Sequence, residues 1–224
     1  MKQLAEYVVQ HAAAGDVDAA LDKFIEFSEK KQLGLHLGRQ KGQTIVDSIR
    51  KAKPDSGPLT ILELGCHAGD GTLSILQAVR DRPGSTIIST EGNAEWLTAA
   101  KRVVTHAMQN QDVRWIPLAS QGAPDLSTLL AQLKDRGILQ IDSMVFDHEE
   151  DLFLPHLKAI LDKGLLRVGG TVQVDNVKRK ARALAKYLEY VRSGRNGFAT
   201  EVISVKEPYP DSVAISQFLG LPEL

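Results

Sequence analysis

The sequence predicts an α/β fold, a mostly parallel sheet wrapped by crossover helices, on three observations. From residue 60 onward short apolar runs alternate with helical patterns, the arrangement that builds a parallel sheet. The first of these runs, Ile61-Leu62-Glu63-Leu64, ends in a glycine-dense turn that passes straight into a helical pattern carrying Leu73, Ile75, Leu76 and Val79. With 224 residues, the chain is long enough for one α/β domain with a well-buried core.

Residues 2–12 and 16–31 read as amphipathic helices, because Leu4, Tyr7, Val8 and then Val17, Leu21, Phe24, Ile25 recur at helical spacing. Gly15 ends the first and Asp16 caps the second. Leu33-Gly34-Leu35-His36-Leu37-Gly38 is too rich in glycine to stay helical, and it leads into a third helix carrying Ile45, Val46 and Ile49. Residues 53–58, with two prolines and a glycine, form a connector. Strands are expected at 60–64, 86–90, 113–117, 142–146 and 166–174, with helices at 71–81, 94–108, 124–136, 152–162 and 181–192. The runs 198–205 and 212–218, joined by Pro208-Tyr209-Pro210-Asp211, predict a closing antiparallel pair. The chain is thus a single domain over 1–224, with N-terminal helices in 1–52 and the sheet core in 59–224.

Charge and composition narrow the partners. With 27 basic and 28 acidic residues, no global field attracts nucleic acid or an anionic membrane. One cysteine, Cys66, excludes an intrachain disulfide and fits a reducing compartment. No apolar run approaches the roughly 18 residues that span a bilayer, and the N-terminus lacks a signal-peptide core. The expectation is a soluble, cytoplasmic protein, monomeric or weakly dimeric.

The glycine turn is a nucleoside cradle. Gly65, Gly69 and Gly71 let the backbone bend and come close to a ligand, and the helix behind them aims free N–H groups at anionic atoms. The second strand ends in Glu91-Gly92, an acid placed to accept hydrogen bonds from ribose hydroxyls. A dinucleotide fingerprint fits poorly, since the register through Gly69-Asp70-Gly71 puts Ser74 where a third glycine belongs. An NAD-dependent oxidoreductase is the lesser alternative. The spacing Glu63-x-Gly65-x-x-x-Gly69 resembles the first motif of methyltransferases that use S-adenosyl-L-methionine (SAM). A second constellation comes from Asp147-His148 and Asp175-Asn176, strand ends that the topology brings to the same edge. Two carboxylates and an amide suit a hard cation such as Mg²⁺; strand-end Asp and Asn also simply cap the helices that follow.

The ordered motifs Lys41-Gly42-Gln43, Glu63-Leu64-Gly65, Glu91-Gly92-Asn93, Ala119-Ser120-Gln121, Met144-Val145-Phe146-Asp147-His148, Gly164-Leu165-Leu166-Arg167 and Asp175-Asn176-Val177 resemble those of catechol O-methyltransferase, over nearly the whole chain. The resemblance implies a Rossmann-like class I methyltransferase fold with seven strands, an antiparallel C-terminal strand and extra N-terminal helices. It implies SAM and Mg²⁺ as cofactors and a small hydroxylated aromatic, a catechol, as acceptor. Asp147, Asp175 and Asn176 would hold the metal, Asn176 thereby also counting among the catalytic residues. Glu91 would bind the ribose, Ser120, Gln121 and His148 would surround the adenine, and Leu35, Leu37, Gly65 and the turn through His67, Gly69, Gly71 and Thr72 would line the methionine part.

Departures from that family lie at the acceptor mouth. Glu149 and Glu150 stand where it has a tryptophan and the lysine base, so Glu150 becomes the candidate base. Leu33 replaces another tryptophan, and Gly71 a serine that meets the SAM carboxylate. Lys178-Arg179-Lys180-Ala181-Arg182 replaces a proline-bearing lip. That run is either a solvated first helical turn or a lid in which Lys178 or Lys180 pairs with Glu149 or Glu150, or supplies the missing catalytic amine. Glu207 is the candidate distal carboxylate that holds a substrate hydroxyl. The added acids favour a cationic acceptor. His36 and His67 read as polar walls, and Trp96 and Trp115 as packing. A protein that keeps the cradle and metal but no longer catalyses is the rival reading.

Overall fold

The computed structural model describes residues 1–34, 36–53, 55–120 and 126–221. Three helices, α1 (Lys2–His11), α2 (Val17–Lys30) and α3 (Gly38–Lys51), precede an alternation of β1 (Thr60–Leu64), α4 (Asp70–Val79), β2 (Ser85–Glu91), α5 (Ala94–Ala107), β3 (Val113–Ala119), α6 (Ser127–Asp135), β4 (Ile141–Phe146), α7 (Phe153–Asp162), β5 (Leu166–Val174), α8 (Ala185–Arg192), β6 (Phe198–Val205) and β7 (Asp211–Phe218). The sheet has seven strands in the order β3-β2-β1-β4-β5-β7-β6, parallel through β5 and closed by β7, which pairs antiparallel with both β5 and β6.

The period-2 alternation along the strands splits the core in two. Ile61, Ile87 and Val145 face one side with α1 to α5, while Leu62, Ile88, Met144, Val172 and Val174 face the other with α6 to α8. The amphipathic faces of α1 and α2 supply Leu4, Val8, Leu21 and Phe24 to the first layer, and the Asp16 carboxylate caps α2 by accepting the Ala19 N–H at 2.9 Å. These two helices pack on α5 and α4. No helix among the described residues is long and apolar enough to cross a membrane.

Two boundaries differ from the sequence reading by three residues or more. The helix expected from 181 begins at Ala185, because residues 177–184 form turns pinned from outside: the Val177 N–H donates to the Ser212 carbonyl, and the Lys178 and Arg179 N–H groups donate to the Asp211 carboxylate. A side-chain acceptor competes there with helical hydrogen bonding. The helix expected from 124 is described from Ser127, its first residues lying outside the described ones.

Candidate active site

The cradle opens where β1 meets the sheet's switch point between β2 and β4, the crevice where open α/β sheets bind ligands. Gly65 takes φ +88°, its N–H donates to the Thr90 carbonyl at 3.0 Å, and a Cβ there would lie 2.3 Å from the Asp147 carbonyl oxygen. Only glycine permits that approach of two backbones. Glu63, one residue before the turn, faces inward. Its carboxylate accepts from the Thr72 and Ser89 hydroxyls, each at 2.6 Å, and a Cβ on Gly71 would meet it at 2.4 Å. Glu63 and Thr72 therefore brace strand against helix and do not reach the cleft wall; neither Gly69 nor Gly71 lines it. Asp70 does line it, and accepts the Leu37 N–H at 2.8 Å, which ties the N-terminal loop over the turn. Burial raises the Asp70 carboxyl to about 6 and pushes the Cys66 thiol up, leaving it a packing group.

Burial also raises Glu63 to about 7, outweighing its two hydroxyl donors. Between its ordinary value of 4.5 and 7 the folded chain holds this proton and the unfolded chain releases it, so Glu63 lowers stability as pH rises across that window. Urea unfolding should show a loss on the order of 3 kcal/mol from this group between pH 4.5 and 8, largely absent in Glu63→Gln. Equal pH dependence in the two proteins would assign the effect elsewhere.

Glu91 ends β2 at the floor of the cleft. Its carboxylate accepts the His67 N–H at 2.9 Å and the Asn93 N–H at 2.7 Å, while its carbonyl accepts the Ser120 N–H. The remaining lone pairs of the carboxylate are left for a ligand. Trp96 stands edge-on to His67 at 4.1 Å and lines the cleft, so it does more than pack. Trp115 packs and donates to Ser89. Burial holds His67 down at about 4, hence neutral. Across the floor, His148 stacks on His156 of α7 with ring centres 4.9 Å apart and Nε2 and Nδ1 at 2.9 Å. Burial, and then His156, lower His148 to about 3. Leu118, Leu126 and Leu129 complete an apolar wall. Leu35 and Gln121 lie outside the described residues.

Toward the mouth, Asp147 after β4 and Asp175-Asn176 after β5 converge as the topology predicted. Among the described residues, no three His, Cys, Asp or Glu side chains converge as a metal-binding group; the set here is two carboxylates and an amide. A buried ammonium serves it: Lys41 Nζ lies 2.9 Å from Asp175, 2.9 Å from Asp211 and 3.3 Å from Asn176 Oδ1. Burial opposes its charge, yet these carboxylates hold its pKa raised. Asp147 has no such partner among the described residues. Of these, Asn176 Nδ2 alone reaches its carboxylate, at 3.5 Å, and burial followed by the Asp175 charge pushes its pKa well up. One ammonium among Asp147, Asp175 and Asp211 leaves the pocket short of positive charge, and the oxygen donors fit a hard divalent cation. Asn176 would have to turn its amide over, because its oxygen now faces Lys41.

At the rim, Lys180 Nζ pairs with Glu150 Oε1 at 3.0 Å, and Arg179 lies over the Tyr209 ring at 4.1 Å. These four residues line one cleft of about 920 Å³ with Glu91, Asp147 and Asp175, a size suited to a small-molecule site. Two predicted residues stand apart. Lys178 is exposed, and Glu207 contributes its N–H to Gln40 at 3.2 Å; neither lines the cleft. Lys41 and His156 were legible as buried positions, since each falls on the apolar stripe of its helix: Lys41 with Ile45 and Ile49, His156 with Phe153 and Ile160. Nothing in the sequence marks Asp211 or Tyr209.

Sheet order, cradle and strand-end acids together define the Rossmann-like class I methyltransferase fold. No protein-family model matches the chain. It is 30% identical over 222 residues to a protein named a probable O-methyltransferase from Mycobacterium tuberculosis, covering 96% of this chain and 90% of that one. It is 30% identical over 196 residues to catechol O-methyltransferase B of Danio rerio, covering 87% of this chain and 69% of that one. The chain belongs to the O-methyltransferase family that includes catechol O-methyltransferase. Among solved structures, an O-methyltransferase of tomaymycin synthesis from Streptomyces achromogenes, in complex with SAM, superposes with a TM-score of 0.71 at 18% identity, covering 91% of each chain.

Proposed function

We propose that this O-methyltransferase moves the methyl group of SAM to one hydroxyl of a vicinal dihydroxyaromatic small molecule, with Mg²⁺ or a similar cation held by Asp147, Asp175 and Asn176. The observation that carries this reading is the one cleft that joins Glu91 at its floor to an under-neutralised pair, Asp147 and Asp175, at its mouth. When bound, SAM supplies the methyl group as a cationic sulfonium, and the metal lowers the pKa of the phenol that receives it.

The chain's own residues do the rest. Glu91 accepts the ribose hydroxyls, and Leu118 and Leu129 with neutral His148, stacked on His156, give the adenine apolar and aromatic flanks. Asp70, Asp147 and Asp175 make the interior electronegative, which favours a sulfonium over its neutral product. Positioning donor and acceptor in one cleft supplies much of the rate. Glu150, oriented by Lys180, takes the phenolic proton. Lys180 also returns an ammonium to the mouth from the opposite lip.

A SAM-consumption assay over vicinal dihydroxyaromatics, with and without Mg²⁺, tests this. Turnover should vanish in EDTA and return with added Mg²⁺. Turnover undiminished by EDTA would remove the cation from the mechanism, and SAM binding without transfer to any acceptor would leave a binding role.

A further inference from the structure

We infer that Arg179 reads the acceptor and selects a vicinal dihydroxyaromatic that carries a carboxylate, an inference that rests on the acceptor class proposed above. The rim holds four charged side chains, Glu149, Glu150, Arg179 and Lys180. Two cancel, because Lys180 and Glu150 form an ion pair at 3.0 Å. The acidic rim that the sequence suggested, and with it the preference for a cationic acceptor, is thereby halved.

Arg179 is left over. Its guanidinium enters no ion pair and no side-chain hydrogen bond among the described residues, yet it is placed: the ring of Tyr209 lies under it at 4.1 Å, and its own backbone N–H is fixed on Asp211 at 3.2 Å. Lys41 Nζ approaches the same ring at 4.7 Å, but its charge is answered by Asp175 and Asp211, whereas that of Arg179 is left for an anion from outside. The planar fork offers paired donors to a carboxylate with little ordering left to do. Glu149 also forms no ion pair among the described residues, but it is exposed, so it can swing into water. Arg179 follows Asn176 by three residues in the chain and lines the same cleft, so a ring whose hydroxyls face Asp147 and Asp175 presents its far substituent to this rim.

Calorimetric binding in the presence of SAH and Mg²⁺ compares 3,4-dihydroxybenzoate, unsubstituted catechol and 4-(2-aminoethyl)catechol. The wild-type chain should bind the carboxylate about tenfold or more tightly than the amine, as one charge-assisted contact gives. Arg179→Gln should bring that ratio near one, and Arg179→Glu should invert it. Equal wild-type affinities for carboxylate and amine, or a ratio unmoved in Arg179→Gln, overturns the role of Arg179 while leaving the acceptor class standing. Failure of all three compounds to bind overturns both. The wild-type ranking needs no variant, and SAH affinity reports whether each variant has kept its cleft.

Discussion

An Asp147→Ala chain should keep its fold and lose methyl transfer by about 10³-fold, the several kcal/mol that a catalytic cation gives a developing phenolate. The two halves of this result have opposite signs for one reason. Among the described residues Asp147 sits in the cleft without an ion pair, its carboxylate reached by an amide nitrogen at 3.5 Å, so removing it takes away an uncompensated acid beside Asp175. Thermal unfolding of the metal-free variant should therefore be no lower than that of the wild type. Mn²⁺ binding followed by electron paramagnetic resonance should be weakened along with turnover. A chain that unfolds would make Asp147 a structural residue, and transfer within tenfold of the wild type would take it out of the metal set.

Gly65→Ala should abolish SAM binding by more substantial means. The new methyl group would be placed 2.3 Å from the Asp147 carbonyl oxygen, 2.7 Å from its carbon and 2.9 Å from the His148 nitrogen, all backbone atoms with no rotamer to yield. The strand ends at β1 and β4 must separate, and they carry the cradle and Asp147, the first of the proposed metal ligands, respectively. At φ +88° the variant also bears the conformational penalty of a side chain in the left-handed region, on the order of 1–2 kcal/mol. Gly164→Ala isolates that second part, since its φ is +62° and no atom stands within 4 Å of the added carbon. Isothermal titration with SAM should show at least about a 100-fold loss in Gly65→Ala, the factor that backbone displacement at a binding site commands, and little change in Gly164→Ala. Equal affinities in the two would refute the steric account.

The sheet was legible because its strands are short, apolar and bounded by turn residues, and because strands and helices alternate. The closing hairpin was legible from Pro208-Tyr209-Pro210-Asp211 between two strand-like runs. Legibility of the site followed from topology: Glu91, Asp147 and Asp175 each end a parallel strand, and parallel strands end on one edge. Motif spacing could not separate residues that line the cleft from those that brace it. Gly65 and Thr72 belong to one turn, yet the first borders the cleft and the second spends its hydroxyl on Glu63. Charge pattern alone could not decide between a solvated helix start and a lid for residues 178–182. The answer is divided residue by residue, Lys180 and Arg179 facing the cleft and Lys178 facing water, because Asp211, about thirty residues further on, fixes the turn.

The Lys41 clamp also bears on how the chain is made. Lys41 is separated from Asp175 by 134 residues and from Asp211 by 170. During synthesis at about 5–20 residues per second, the lysine waits roughly 10–30 s for its last carboxylate. A buried ammonium without its partners is strongly disfavoured, so α3 has no reason to dock fully before β7 has been made. The mouth of the cleft is therefore among the last parts of the molecule to form, and a ribosome-bound chain that already holds β1 to β3 and the Glu91 floor still lacks the Asp147–Asp175 mouth.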